Sequence, residues 1–140
     1  MNNTEQILRT LNKLRKNTLM ETLEIEYTNV GENFLEAKMP VTKKVHQPDG
    51  VLNGGATMAL AESVGSPASM IFVDADKFMV RGISFSANHL KSVKEGFVTA
   101  TATFIHKGRT THLLEIKITD DFNNLISVCK LTNIILPKKK

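Results

Sequence analysis

Apolar positions recur along this chain with two periods, and the switch between them outlines the elements. Ile7, Leu8, Leu11 and Leu14 stand three or four residues apart. That spacing puts side chains on one helical face, so residues 4–16 are predicted to form an amphipathic helix within an N-terminal segment 1–20. Asn3 or Thr4 is its candidate cap. The period then falls to two. Residues 22–30 and 33–41 read as strands joined by Gly31-Glu32-Asn33, and in the second Leu35, Ala37, Met39 and Val41 alternate with Phe34, Glu36 and Lys38. A polar loop, residues 42–53, carries Pro48, Asp49 and Gly50. Residues 54–72 return to helical character and are apolar on nearly every face, so this helix is expected to be buried. Pro67 lies inside it and removes one backbone hydrogen bond, which predicts a kink or a division near Ser63 to Ser66.

Four strands are predicted after that helix, over residues 78–89, 96–106, 109–119 and 125–136. Phe97-Val98-Thr99-Ala100-Thr101-Ala102-Thr103 alternates and is rich in β-branched residues. Lys107-Gly108 and Asn123-Asn124 have the composition of hairpin turns. The order is helix, two strands, long apolar helix, four strands. An α+β architecture satisfies it, with one antiparallel sheet wrapped around a long central helix that supplies the core.

Composition narrows the picture without changing it. A chain of 140 residues has room for one core, so residues 1–140 are expected to form a single domain with a basic tail at 137–140. It is 41% hydrophobic and 23% charged, with a net charge of +4, the balance of a globular protein. Lys138, Lys139 and Lys140 supply three of those charges, as a solvated terminus or as a patch that attracts an anionic ligand. A basic stripe with interleaved aromatics is absent, as is any Trp, so nucleic acid is not an expected partner. The apolar run from Gly54 to Val73 is interrupted by Glu62, Pro67 and serines and is not a membrane span. The run from Met1 to Gln6 lacks the basic and apolar regions of a secretory signal. Cys129 is the only cysteine and has no partner for an internal disulfide, which favours a reducing cytoplasm. His46, His89, His106 and His112 show no metal-ligand spacing, so no metal is expected.

Candidate chemistry gathers in one segment, Gln47 to Ser63. Gly54-Gly55 opens the long helix, where backbone N–H groups lack helical partners and the helix dipole adds positive potential. Without a Cβ, these positions let a ligand approach the backbone. The combination suits a carbonyl oxygen that gains negative charge during acyl transfer. Glu62 is a carboxylate within an otherwise apolar helix, and Met58, Ala59, Gly65 and Ser66 at the helical neighbour positions offer it no cation. A carboxylate in such surroundings is a candidate general base or nucleophile. Eight residues separate Glu62 from Gly54, roughly 12 Å along a helix axis. Glu62 therefore cannot easily serve a carbonyl held at its own helix N-terminus. A second copy of the helix running antiparallel would bring the two together. The face Gly55, Ala59, Glu62, Ser66 is small enough for that approach, so a homodimer with two shared sites is expected.

The pattern Gln47…Gly50…Asn53-Gly54-Gly55…Ala59-Leu60-Ala61-Glu62 resembles the hotdog-fold acyl-CoA thioesterases of the phenylacetate-degradation and 4-hydroxybenzoyl-CoA thioesterase type. Asn88 to Gly96 and His106 to Thr111 resemble the same family's strand motifs, and the likeness spans about residues 20–136. It implies a hotdog fold and a dimer with one continuous sheet, commonly paired into a tetramer. By the resemblance, Glu62 activates water or attacks the thioester directly to form an anhydride. The N–H of Gly54 or Gly55 polarises the carbonyl, Gln47 holds that carbonyl or the water, and Ser66 contacts the acyl group or the water. Gly82, His89, Lys91, His106, Gly108, Arg109 and Thr110 are implied to bind coenzyme A, which enters as part of the substrate and leaves no separate cofactor. The acyl group implied is aromatic or medium-chain. One position departs from the family: Asn53 stands where a His is usual. Asn can donate a hydrogen bond but carries no proton to give at neutral pH. Two other readings stand beside this one, a non-catalytic acyl-CoA sensor, which the departure favours, and a hotdog dehydratase, which it disfavours. A dehydratase would need the missing His, and a sensor would not need Glu62.

Overall fold

The computed structural model describes residues 3–139, and the expectations that touch Met1, Asn2 and Lys140 lie outside them. Ten elements follow in order: α1 (Asn3–Lys13), α2 (Leu19–Thr22), β1 (Glu26–Val30), β2 (Phe34–Pro40), a 3-10 turn (Lys43–Val45), α3 (Gly54–Met70), β3 (Phe78–His89), β4 (Phe97–Lys107), β5 (Thr111–Thr119) and β6 (Leu125–Pro137). The six strands form one sheet in the order β1-β2-β4-β5-β6-β3, with every neighbouring pair antiparallel. This is the α+β arrangement expected from the sequence.

The core is the seam between α3 and the inner face of the sheet. Leu60, Ala61, Val64 and Ala68 of α3 are fully buried against a set that alternates along the strands: Leu35, Ala37 and Met39 of β2, Val98, Ala100 and Ala102 of β4, Leu114, Ile116 and Ile118 of β5, and Leu131 of β6. The period of two in the sequence is thus the period of the pleat. Alanines at Ala37, Ala100 and Ala102 keep the sheet surface low, which lets the helix lie close to it.

Four expectations are corrected. The N-terminal helix is shorter than residues 4–16 and already includes Asn3 and Thr4, so neither is its cap. The first strand, expected from residue 22, begins at Glu26, and Thr22 closes α2 instead. The basic tail begins later than 137, because β6 runs to Pro137. The long helix passes through Pro67 without a break. Proline lacks the N–H that would bond the Ser63 carbonyl, and Tyr27 supplies the missing donor, its hydroxyl bonding Ser63 O at 2.7 Å. Burial around this bond pushes the Tyr27 phenol up to about 12, with Arg15 acting in the opposite direction.

The two edges of the sheet differ. At β1 the Asn12 side chain bonds both the N–H and the C=O of Tyr27, at 2.9 and 3.0 Å. Its carboxamide therefore takes the place of a neighbouring strand. The β3 edge is twelve residues long and mostly exposed, with Phe78 and Ile83 open. The helix is also less enclosed than its composition suggested. Gly55, Met58, Glu62 and Met70 are exposed, and Ala59 and Ser66 are half-buried. The open face of α3 and the open edge of the sheet therefore belong to the same chain.

Candidate active site

The loop before α3 folds back through backbone bonds from Gln47 N to Val51 O at 2.8 Å and from Gly50 N to Gln47 O at 2.9 Å. Gly50 takes φ +82, the left-handed region that glycine tolerates. This turn sets Gln47 beside the helix N-terminus. Asn53 then caps α3, its Oδ1 accepting from Gly55 N–H at 2.6 Å and Ala56 N–H at 3.3 Å. The cap distinguishes the two glycine N–H groups. Gly55 N–H is already occupied, whereas Gly54 N–H has no protein acceptor among the described residues.

Gly54 opens onto a cleft of about 280 Å³ lined by Gln47, Thr57, His89, Lys91 and Ser127, among others. The His89 ring lies against the glycine: a Cβ at Gly54 would stand 2.9 Å from its Nε2. The other ring nitrogen, Nδ1, shares a 2.8 Å hydrogen bond with the buried Ser127 hydroxyl. Any larger side chain at 54 would displace the imidazole from the helix end. Four of the residues singled out from the sequence, Gln47, Gly54, His89 and Lys91, thus share one cleft.

Glu62 is elsewhere on the same helix. It is exposed in this chain, so the burial expected of it is corrected. Its carboxylate lies over β3, where a Cβ at Gly82 would stand 3.1 Å from Oε1. Gly82 therefore sits beneath the candidate base. Ser66 stands one turn beyond Glu62 on the same face, half-buried.

The remaining candidates collect at the other end of α3. Gly108 and Arg109 line a second cleft of about 410 Å³ with Phe72, Asp74, Lys107 and His112. Lys107 Nζ lies 3.6 Å from the Phe72 ring centroid and 4.4 Å from that of Phe104. The Thr110 carbonyl is held by Ile135 N at 2.8 Å, and the His106 ring packs beside Gly108. Helix α3 has 17 residues, so roughly 25 Å of axis separates this hairpin from the His89 cleft.

Ser127 and Thr57 line the cleft at Gly54, and Asn133 lies near Glu62 across Gly82; the sequence reading singled out none of the three. Asn133 had a visible signal: Cys129, Leu131, Asn133 and Ile135 alternate inward on β6, and only one of them is strongly polar. Cys129 is buried, and burial pushes its thiol up to about 11, so it is protonated at neutral pH and not a nucleophile. Among the described residues no group of three His, Cys, Asp or Glu side chains could hold a metal ion, and no helix is long and apolar enough to cross a membrane.

Comparison with known proteins agrees with this geometry. The Thioesterase superfamily profile matches residues 49–126, which include the capped helix and Glu62. A 1,4-dihydroxy-2-naphthoyl-CoA hydrolase of Listeria monocytogenes is 40% identical, over 87% of this chain and 98% of its own. The proofreading thioesterase EntH of Cronobacter turicensis is 39% identical, over 92% of this chain and 93% of its own. The crystal structure of a mutant thioesterase from Pseudomonas aeruginosa superposes with a TM-score of 0.92 at 39% identity, covering 94% of each chain. The chain belongs to the thioesterase superfamily and is a hotdog-fold thioester hydrolase.

Proposed function

We propose that this hydrolase acts on an acyl-CoA with an aromatic or medium-chain acyl group. The observation that carries the reading is the unoccupied Gly54 N–H at the mouth of a cleft that also holds Gln47, His89 and Lys91. The thioester carbonyl would accept from Gly54 N–H, where the helix dipole favours the oxyanion. Glu62 would take a proton from water as the water oxygen bonds the carbonyl carbon. The tetrahedral intermediate would then collapse, breaking the C–S bond and releasing a carboxylic acid. His89 stands at the helix end, where it can give a proton to the leaving thiolate, a task that Asn53 cannot perform. Direct attack by Glu62 to form an anhydride uses the same groups.

Assembly follows from reach. Glu62 lies roughly 12 Å along the axis from Gly54, so the two would meet only between antiparallel copies of α3. The exposed small-residue face of α3 and the unpaired β3 edge support a homodimer that continues the sheet through β3, with two shared sites. That packing would also bring the Gly108–Arg109 hairpin of one copy toward the His89 cleft of the other, where Arg109 and Lys91 suit the phosphates of coenzyme A. A dimer of such dimers, a cytoplasmic location, a single domain and the lack of any cofactor beyond the coenzyme A of the substrate belong to the same reading.

The test is thiol release from benzoyl-, phenylacetyl-, octanoyl- and acetyl-CoA and from the matching acyl carrier protein thioesters. Turnover led by an aromatic or medium-chain acyl-CoA supports the reading. Preference for carrier-protein thioesters, or for acetyl-CoA, would contradict the substrate class.

A further inference from the structure

Beneath Glu62 the structure holds a buried polar chain that the mechanism above does not use. Asn133 is fully buried, and its Nδ2 donates to Gly65 O at 3.2 Å and to Ser69 Oγ at 2.8 Å. Ser69, also fully buried, lies 2.8 Å from His112 Nδ1. A carbonyl can only accept, so the Gly65 contact fixes which end of the carboxamide is nitrogen. Oδ1 must then face the opposite way. It is a buried polar atom without a hydrogen-bond partner among the described residues, and such an atom costs free energy unless something donates to it.

Oδ1 points into the space left by Gly82. A Cβ at Gly82 would stand 3.1 Å from Glu62 Oε1, 3.2 Å from Leu131 Cδ1 and 3.5 Å from Asn133 Oδ1. Two acceptor oxygens, one on the candidate base and one buried and unpaired, therefore bound the same Cβ-free gap. While Glu62 is ionised neither can donate to the other. Once Glu62 takes a proton it becomes a donor, and Oδ1 is an acceptor waiting beside it.

We infer that Asn133 is a positioning residue for Glu62, whose Oδ1 accepts, across the gap at Gly82, a hydrogen bond from the proton that the Glu62 carboxylate takes from the attacking water. The inference rests on the reading of Glu62 as general base. In the step concerned a water O–H bond breaks and a carboxyl O–H bond forms, and Asn133 gains a hydrogen bond without giving or taking a proton. His112 and Ser69 hold the far side of the carboxamide. Burial and the nearby Lys107 keep the His112 imidazole below its usual range, with a bond to the Gly108 backbone opposing them. A neutral imidazole can accept the Ser69 hydroxyl proton at Nδ1, which completes an ordered chain from the β4–β5 turn to Glu62.

The test compares kcat and KM of Asn133→Leu, Ser69→Ala, Gly82→Ala, Glu62→Gln and the Glu62→Gln/Asn133→Leu double variant on the acyl-CoA that the wild type turns over fastest. Asn133→Leu should lower kcat roughly 2- to 10-fold, the worth of one hydrogen bond between neutral groups, with KM unchanged. Ser69→Ala removes one of the two bonds that hold the Asn133 carboxamide, leaves the bond to Gly65 O in place, and should lower kcat less than Asn133→Leu does. In the Glu62→Gln background Asn133→Leu should have no further effect on kcat, because the side chain at 62 no longer takes a proton that Asn133 could stabilise. Equal loss in both backgrounds, or an unchanged kcat in Asn133→Leu, overturns the inference. If Asn133→Leu does not fold, Gly82→Ala decides: filling the gap must lower kcat, and an unchanged kcat overturns the inference as well. Full turnover by Glu62→Gln alone would instead overturn the reading of Glu62 as base, and it is seen without any change at Asn133.

Discussion

Replacing Tyr27 by Phe removes one oxygen and should cost more than a surface hydroxyl would. The residue is 3% exposed, and its hydroxyl is the donor given to Ser63 O, at 2.7 Å. That carbonyl lost its helical partner to Pro67. Leaving a partly buried carbonyl unpaired costs about 1–2 kcal/mol. With about 2.1 cal/mol/K of unfolding entropy per residue, 140 residues give about 0.3 kcal/mol/K, so Tm should fall by about 3–7 °C. Thermal melts at one fixed protein concentration measure it, since an oligomer's Tm depends on concentration. The cause is isolated by repeating the substitution in Pro67→Ala, where the N–H restored at that position can bond Ser63 O and the loss should shrink by about half or more. The same bond carries a pH signature. Folding holds the Tyr27 phenol up to about 12 against 10.0 unfolded. The unfolded chain therefore releases this proton first as pH rises, and the stabilisation, complete below pH 10, should be lost between pH 10 and about 12. Tyr27→Phe should flatten that alkaline decline. Equal losses with and without Pro67 would refute the reasoning.

Two further outcomes follow from the helix N-terminus. Asn53→Ala removes the acceptor for Gly55 and Ala56 N–H and should cost about 1 kcal/mol of stability in denaturant titration, with activity falling as the N-terminus frays. His89→Ala should lower kcat on acyl-CoA by about 10²-fold or more, as loss of a general acid does, and much less on an aryl thioester whose thiolate leaves without a proton.

The sheet and the central helix were legible because their signals are local. Leu35, Ala37 and Met39 alternate, as do Val98, Ala100 and Ala102, and each set is buried as its period requires. The helix passes intact through Pro67 because Tyr27, far earlier in the chain, supplies a donor, and no window around Pro67 contains that fact. Asn53 shows the same limit. Its departure from the family's His suggested a site that had lost a proton donor, whereas the structure uses it as a cap and sets His89 beside Gly54. The sensor reading loses its main support there, since the departure no longer removes every imidazole from the helix end. Glu62 was found for a reason that holds only in part. It is not buried in this chain, and the enclosure proposed for it rests on the proposed dimer. Asn133 falls on the inward phase of β6, but that it stands opposite Gly82, and so near Glu62, is known only from the pairing of β3 with β6.

The most direct test of the account is thiol release by Glu62→Gln beside the wild type, at saturating acyl-CoA and matched protomer concentration. The wild type should turn over an aromatic or medium-chain acyl-CoA, while Glu62→Gln, with its dimer and its coenzyme A binding intact, should lose at least about 10²-fold in kcat, as removal of a general base does. Equal turnover by the two proteins would contradict the assignment of Glu62 and the shared-site account built on it.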